Sequence, residues 1–137
     1  MQVQVYLGFN GRCEEAVRFY QEAVGAEVQM LMRHKDSPEP APPGMLPAGS
    51  ENKIMHVAMK IGDSTVMATD GSCSGKTNFD GFSLSLQVSS ADVAQRAFAR
   101  LADGGKTTMP LTKTFFAPLF GMVVDRFGVS WMVLVPA

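Results

Sequence analysis

Val3-Gln4-Val5-Tyr6-Leu7-Gly8-Phe9 sets an apolar residue at every odd position, and Phe82-Ser83-Leu84-Ser85-Leu86-Gln87-Val88 repeats the alternation 79 residues later. A period of two belongs to a strand buried on one face. After the first copy, Asn10 can cap a helix in which Ala16, Val17, Tyr20, Ala23 and Val24 recur at helical spacing, and Gly25 suits the left-handed position that ends it. After the second copy, Ser89 or Ser90 caps a helix through Val93, Ala97, Phe98 and Leu101, which Gly104-Gly105 stops. The same offset of 79 lays Phe19 on Phe98, Ala23 on Ala102 and Gly25 on Gly104.

Val28-Gln29-Met30-Leu31-Met32 predicts a further strand. Ile54 to Ile61 and Ser64 to Thr69 predict a hairpin around Gly62-Asp63, and Met122-Val123-Val124 with Trp131 to Val135 predict another around Phe127-Gly128-Val129-Ser130. An offset of 66 lays Gly62 on Gly128 and Ser64 on Ser130. The two offsets differ by 13, and the difference falls between Asp36 and Ser50, where Pro38, Pro40, Pro42, Pro43 and Pro47 exclude helix and central strand. One insertion, a stiff extended loop, reconciles both registers and predicts a duplicated β-α-β-β-β unit.

The expected fold class is therefore α+β, with modules 1–70 and 80–137 inside one domain, 1–137. A module of roughly 60 residues buries too little apolar surface to be stable alone. Two must pack together, and paired curled sheets of this kind form a half-barrel whose concave face holds a small molecule. Completing the pairing with a second chain predicts a homodimer.

Composition bounds the rest. Among 137 residues 46% are apolar and 18% charged, with 12 basic against 13 acidic side chains and a net charge of −1, so disorder and nucleic-acid binding are poorly supported. Apolar runs break well short of the eighteen or so residues that span a bilayer, and the N-terminus lacks a basic-then-apolar leader pattern. The expectation is a cytoplasmic protein without a membrane partner. Cys13 and Cys73 cannot build a disulfide scaffold or a zinc cage, although they leave one bridge open.

The chain resembles the glyoxalase, bleomycin-resistance and extradiol-dioxygenase (vicinal oxygen chelate) superfamily over essentially its whole length, and within it the PhnB-like proteins. The resemblance rests on Tyr6-Leu7-Gly8-Phe9-Asn10-Gly11 with Glu15-Ala16 and Phe19-Tyr20, on Gly25-Ala26-Glu27, on Ser74-Gly75-Lys76, and above all on residues 120–132, Phe120-Gly121-Met122 through Asp125-Arg126-Phe127-Gly128 to Trp131-Met132. Some PhnB-like proteins are described as demethylubiquinone methyltransferases, yet no Gly-rich loop opens a helix after the first strand, as S-adenosylmethionine would need.

The resemblance also implies one divalent metal held by His and Glu side chains on facing strands, acting as a Lewis acid. Measured from the helix and turn landmarks, those ligands fall near Val5, Leu84, Val66 and Met132, all apolar. A slip of one residue reverses the strand face. The neighbours Gln4, Tyr6, Ser83, Ser85, Thr65, Met67, Trp131 and Val133 supply no His, Glu, Asp or Cys either. The expectation is that the superfamily metal site is lost and that no cofactor is required.

Of the two histidines, His34 lies beside Arg33 and Lys35, where a solvated surface role is the ordinary reading. His56 sits inside a strand with Ile54, Ala58 and Lys60 as its alternation partners; a hydrogen-bonded structural histidine and a ligand contact are both open. Asp63, Asp70 and Asp125 stand near hairpin ends, where turn and cap roles account for carboxylates. Gly71 to Lys76 fails as a phosphate loop because only three residues separate its glycines and a strand follows it. Seven strand methionines and the Phe115-Phe116…Phe120 run suit a soft apolar pocket, a flap over it, or a dimer contact.

The reading that results is a metal-free homodimer that binds a small organic molecule in its half-barrel, with Tyr6, His56, Phe115 and Trp131 as contacts. Two others compete. One is an enzyme, either a metal-dependent isomerase, lyase or dioxygenase or a metal-free one with His56 as general base; the other is an assembly partner for other proteins.

Overall fold

The computed structural model describes residues 1–39 and 41–137, so Pro40 of the proline-rich stretch lies outside the described residues. The chain forms two compact units, Met1–Thr77 and Asn78–Ala137. The first runs β1 (Val5–Gly8), α1 (Cys13–Val24), β2 (Glu27–Arg33), β3 (Ile54–Ile61) and β4 (Ser64–Thr69). The second runs β5 (Leu84–Gln87), α2 (Ala91–Ala102), β6 (Lys106–Thr112), β7 (Leu119–Val124) and β8 (Ser130–Val135).

Their sheets have the same order, β1-β4-β3-β2 and β5-β8-β7-β6, with the first strand of each parallel to the last. The α+β fold of two β-α-β-β-β modules follows directly, and the alternation that predicted β1 and β5 is the alternation that the sheets use. In the first module Leu7, Val57, Met59, Val66 and Ala68 are buried with Ala16, Val17, Phe19 and Tyr20 of α1. In the second, α2 sets Phe98 against the backbone of β7, where a Cβ on Gly121 would stand 2.8 Å from the ring.

Two local expectations need correcting. Asn10 does not cap α1: it has a positive φ of 50°, and the cap position falls at Arg12, whose side chain bonds no backbone amide there. The cap comes from a distant residue, Asp70, described below. Ser90, by contrast, caps α2 as expected, its hydroxyl accepting from the Val93 amide at 3.3 Å. Strand β6 carries no alternation signal and contains Pro110, which its place at the sheet edge tolerates because an edge strand has amides that need no ladder partner.

The second correction concerns register. Val5 pairs with Val66 and Leu84 with Trp131, so β4 maps on β8 with an offset of 65, not 66. The second hairpin is closed by the Asp125 amide donating to the Val129 carbonyl with three residues between them at its tip, where the first turns through Gly62 and Asp63 alone. Matching glycines across turns of unequal length therefore mis-phases the strand by one residue and exchanges its faces. Trp131, not Met132, is the counterpart of Val66.

One ion pair ties β2 to α1. Arg33 donates from Nη1 and Nη2 to Oε1 and Oε2 of Glu14 at 3.1 and 2.8 Å. The hydrogen bond to the guanidinium holds the Glu14 carboxyl below its ordinary range. A depressed folded-state pKa contributes stability above the unfolded pKa and loses it as pH falls through the folded value. Glu14→Gln is accordingly expected to cost about 0.5–1 kcal/mol at pH 7, with the gap to the parent closing below about pH 4, as read by urea denaturation at pH 7 and pH 3.

Candidate ligand-binding site

Burying Leu7, Val66 and Ala68 against α1 sends their neighbours to the opposite, open face of the first sheet. There Tyr6 pairs across to Met67, Met67 to Ala58, and Ala58 to Met30, while Met32 stands opposite His56. A register shift between the Met32–His56 and Arg33–Ile54 pairs turns Ile54 inward, where it is fully buried, so Ile54 does not share a face with His56. The polar centre of this surface is a contact between Tyr6 Oη and His56 Nδ1 at 2.9 Å, the two rings meeting edge to face with centroids 5.4 Å apart. Tyr6 is half exposed, and Met30 is 46% exposed. Where the phenol donates to Nδ1, the imidazole carries its proton on Nε2, and that N–H is a donor for a guest.

The other two expected contacts fare differently. Trp131 is only 2% exposed and donates its indole N–H to Asp125 Oδ2 at 2.9 Å, which leaves it as part of the core and removes it from the set of ligand contacts. Phe115 is fully exposed on the loop before β7 and begins a chain of edge-to-face rings, Phe115 to Phe116 at 5.2 Å and Phe116 to Phe120 at 5.0 Å. His34 is a further correction. It opens a short 3-10 turn, His34–Asp36, lines a cavity under the proline-rich loop, and has its Nε2 shielded from solvent without a hydrogen-bond partner.

The buried carboxylates are structural. Asp70 accepts at Oδ1 from the amides of Gly11 and Cys13, and at Oδ2 from that of Ile54, each at 2.8 Å. It thereby occupies the N-terminal amides of α1, the place where a nucleotide-binding fold would seat a phosphate. Asp125 accepts from the amides of Phe127 and Val129 as well as from Trp131. Both cysteines are free thiols. Burial pushes the Cys13 thiol far above its ordinary pKa, with the negative charges of Asp70 and Glu14 adding to the effect, so the helix dipole confers no thiolate character there.

Three of the four positions expected to replace metal ligands, Val5, Val66 and Leu84, lie on the helix-facing register, and only Met132 lies on the open one. The open face of the first sheet offers one imidazole, one phenol and thioethers, a donor set that does not fit a divalent cation in the superfamily's manner. Among the described residues no group of three or more His, Cys, Asp and Glu side chains is placed to hold a metal ion. No helix among them is long and apolar enough to cross a membrane.

A family model described as 3-demethylubiquinone-9 3-methyltransferase matches residues 1–134. Protein YjdN of Escherichia coli strain K12 is 37% identical over 140 residues, covering 97% of this chain and 94% of YjdN. The crystal structure of protein PA1353 from Pseudomonas aeruginosa superposes with a TM-score of 0.85 at 40% identity, over 99% of this chain and 98% of that one. A PhnB protein from Bacillus cereus gives 0.79 at 25% identity, over 98% and 99% of the two chains. The fosfomycin resistance protein FosX from Mesorhizobium loti, at 12% identity and a TM-score of 0.65, covers 100% of this chain and 92% of its own and shares the fold alone. With its duplicated β-α-β-β-β modules, the chain belongs to the family described as 3-demethylubiquinone-9 3-methyltransferase, the PhnB-like branch of the glyoxalase and vicinal oxygen chelate superfamily.

Proposed function

We propose that this protein binds a small organic molecule on the open face of its first module without the superfamily's metal, acting as a cytoplasmic homodimer in which both modules serve one domain. The observation that carries the reading is the Tyr6–His56 hydrogen bond of 2.9 Å among methionines. A small polar pair fixes orientation, while thioether side chains adapt to the apolar body of a guest. The exposed rings of Phe115 and Phe116 support the dimer, since bare aromatic surface of this kind is usually covered by a partner. A metal-free enzyme is the second reading: His56 already touches a hydroxyl, as a general base must, so a substrate hydroxyl in the place of Tyr6 Oη would be within its reach.

The test is a ligand-detected NMR screen of small carbonyl and aromatic compounds, followed by titration of the best binder. Tyr6→Phe and His56→Ala are each expected to weaken saturable binding about tenfold, the loss of one or two hydrogen bonds, with little change in Tm. A stoichiometric metal retained by protein purified without added metal, and lost in His56→Ala, would overturn the metal-free part. Turnover abolished by His56→Ala at unchanged Tm would move the assignment to the enzyme.

A further inference from the structure

Each sheet ends in two edge strands, β1 and β2 in the first, β5 and β6 in the second. An edge strand offers unpaired amides and carbonyls, and sheets guard such edges by keeping them short or by placing proline and lysine in them. Strands β1 and β5 have four residues each, and β6 holds Lys106 and Pro110. Strand β2 has seven residues and neither proline nor lysine. Register shifts between Val28 and Met30 and between Met32 and Arg33 bracket a regular stretch, Met30-Leu31-Met32, paired to Ala58, Val57 and His56. Met30, on the open face, is 46% exposed, and Leu31, on the helix-facing register, is 36% exposed. Apolar side chains therefore stand bare on both faces of an unguarded edge.

The occupant that fits this edge is a second copy of the same strand. Antiparallel pairing about a two-fold axis at Leu31 sets Leu31 opposite the partner's Leu31 and Met30 opposite the partner's Met32, apolar against apolar on both faces. Charge agrees with this direction. Glu27 begins the strand and Lys35 follows it, both exposed. Antiparallel pairing brings the Glu27 end of one copy to the Lys35 end of the other, whereas parallel pairing would set like charge beside like. Phe115 and Phe116 are the rival surface for a dimer, but they offer side chains alone, where β2 adds main-chain donors and acceptors to its apolar groups.

We infer that two copies pair β2 against β2, antiparallel about Leu31, joining their first sheets into one of eight strands; this rests on the homodimer reading and names its interface. The axis runs normal to the joined sheet, so both Tyr6–His56 surfaces lie on the same side of it. Met32 stands opposite His56, and next across the sheet comes the partner's Met30, about 10 Å from His56 at two strand spacings. The second copy thus supplies a thioether to the rim of the guest's site.

The test is sedimentation velocity of the full chain over a wide concentration series, with thermal denaturation of each variant. Leu31→Lys, at an exposed position, should leave Tm unchanged and weaken the dimer at least about tenfold, since it sets two cations face to face. In a Cys73→Ser background, Leu31→Cys should give a disulfide-linked dimer on mild oxidation. Directly opposite Cα atoms in an antiparallel pair lie about 4.5–5.5 Å apart, within disulfide reach. Met30→Cys, which faces the partner's Met32, should cross-link far less. A dimer that survives Leu31→Lys but is lost in Phe115→Ser overturns the β2 interface and leaves the homodimer standing. Equal cross-linking by Leu31→Cys and Met30→Cys overturns the register, and the inference with it. A monomer at every concentration overturns the homodimer and this interface together.

Discussion

Asp70→Ala is expected to destabilise the first module by about 3–5 kcal/mol, a drop in Tm of about 10 °C or more. Asp70 is 1% exposed and its two oxygens satisfy three amides, those of Gly11, Cys13 and Ile54. Removing the carboxylate strands all three in a space where water is excluded, and each stranded donor carries its own desolvation cost. No local side chain replaces it, because the N-cap position of α1 is Arg12. Asp70→Asn should fall between the two, since its amide oxygen can still accept but its NH₂ group meets one of the three donors. Thermal and urea denaturation of both variants decide the matter; a loss under 1 kcal/mol for Asp70→Ala would show that the carboxylate is not the clamp.

The second large effect belongs to the other module. A Cβ on Gly105 would sit 2.2 Å from the Val124 carbonyl oxygen and 2.9 Å from the Asp125 backbone. Both obstacles are main chain, so neither can rotate away, and relief requires β6 to part from β7 at the point where Lys106 pairs with Val124. Gly105→Ala is expected to cost about 2–4 kcal/mol. Gly8→Ala is the matched control: it also lies in a strand-forming region, but nothing stands within 4 Å of its Cβ position, and it should stay within about 0.5 kcal/mol of the parent. Equal losses for the two variants would show that close backbone approach is not the cause.

What could be read from the sequence divides along the distance between interacting residues. Ser90 and its partner Val93 are three positions apart, and that cap was visible in the sequence; the Asp70 cap spans 57 positions and leaves no local trace. Strand β6 was hidden because an edge position admits Pro110 and relaxes the alternation that announced β1 and β5. Met132 was matched to Val66 in place of Trp131 because glycine landmarks in turns of different length were laid on one another. Tyr6 and His56 were each visible as candidates, but their contact depends on β4 lying between β1 and β3, a pairing order that composition does not encode. His34 looked solvated because the sequence shows only its charged neighbours Arg33 and Lys35, while the shielding of its ring nitrogen arises only in the folded chain.

The Asp70 clamp also sets a timetable for synthesis. At about 5–20 residues per second, the carboxylate emerges from the ribosome several seconds after the helix it seals. Through that interval α1 has an open N-terminus and an apolar stripe that β3 and β4 have yet to cover. A nascent chain halted before the first hairpin should therefore be a client for chaperones, and one released just beyond it should not.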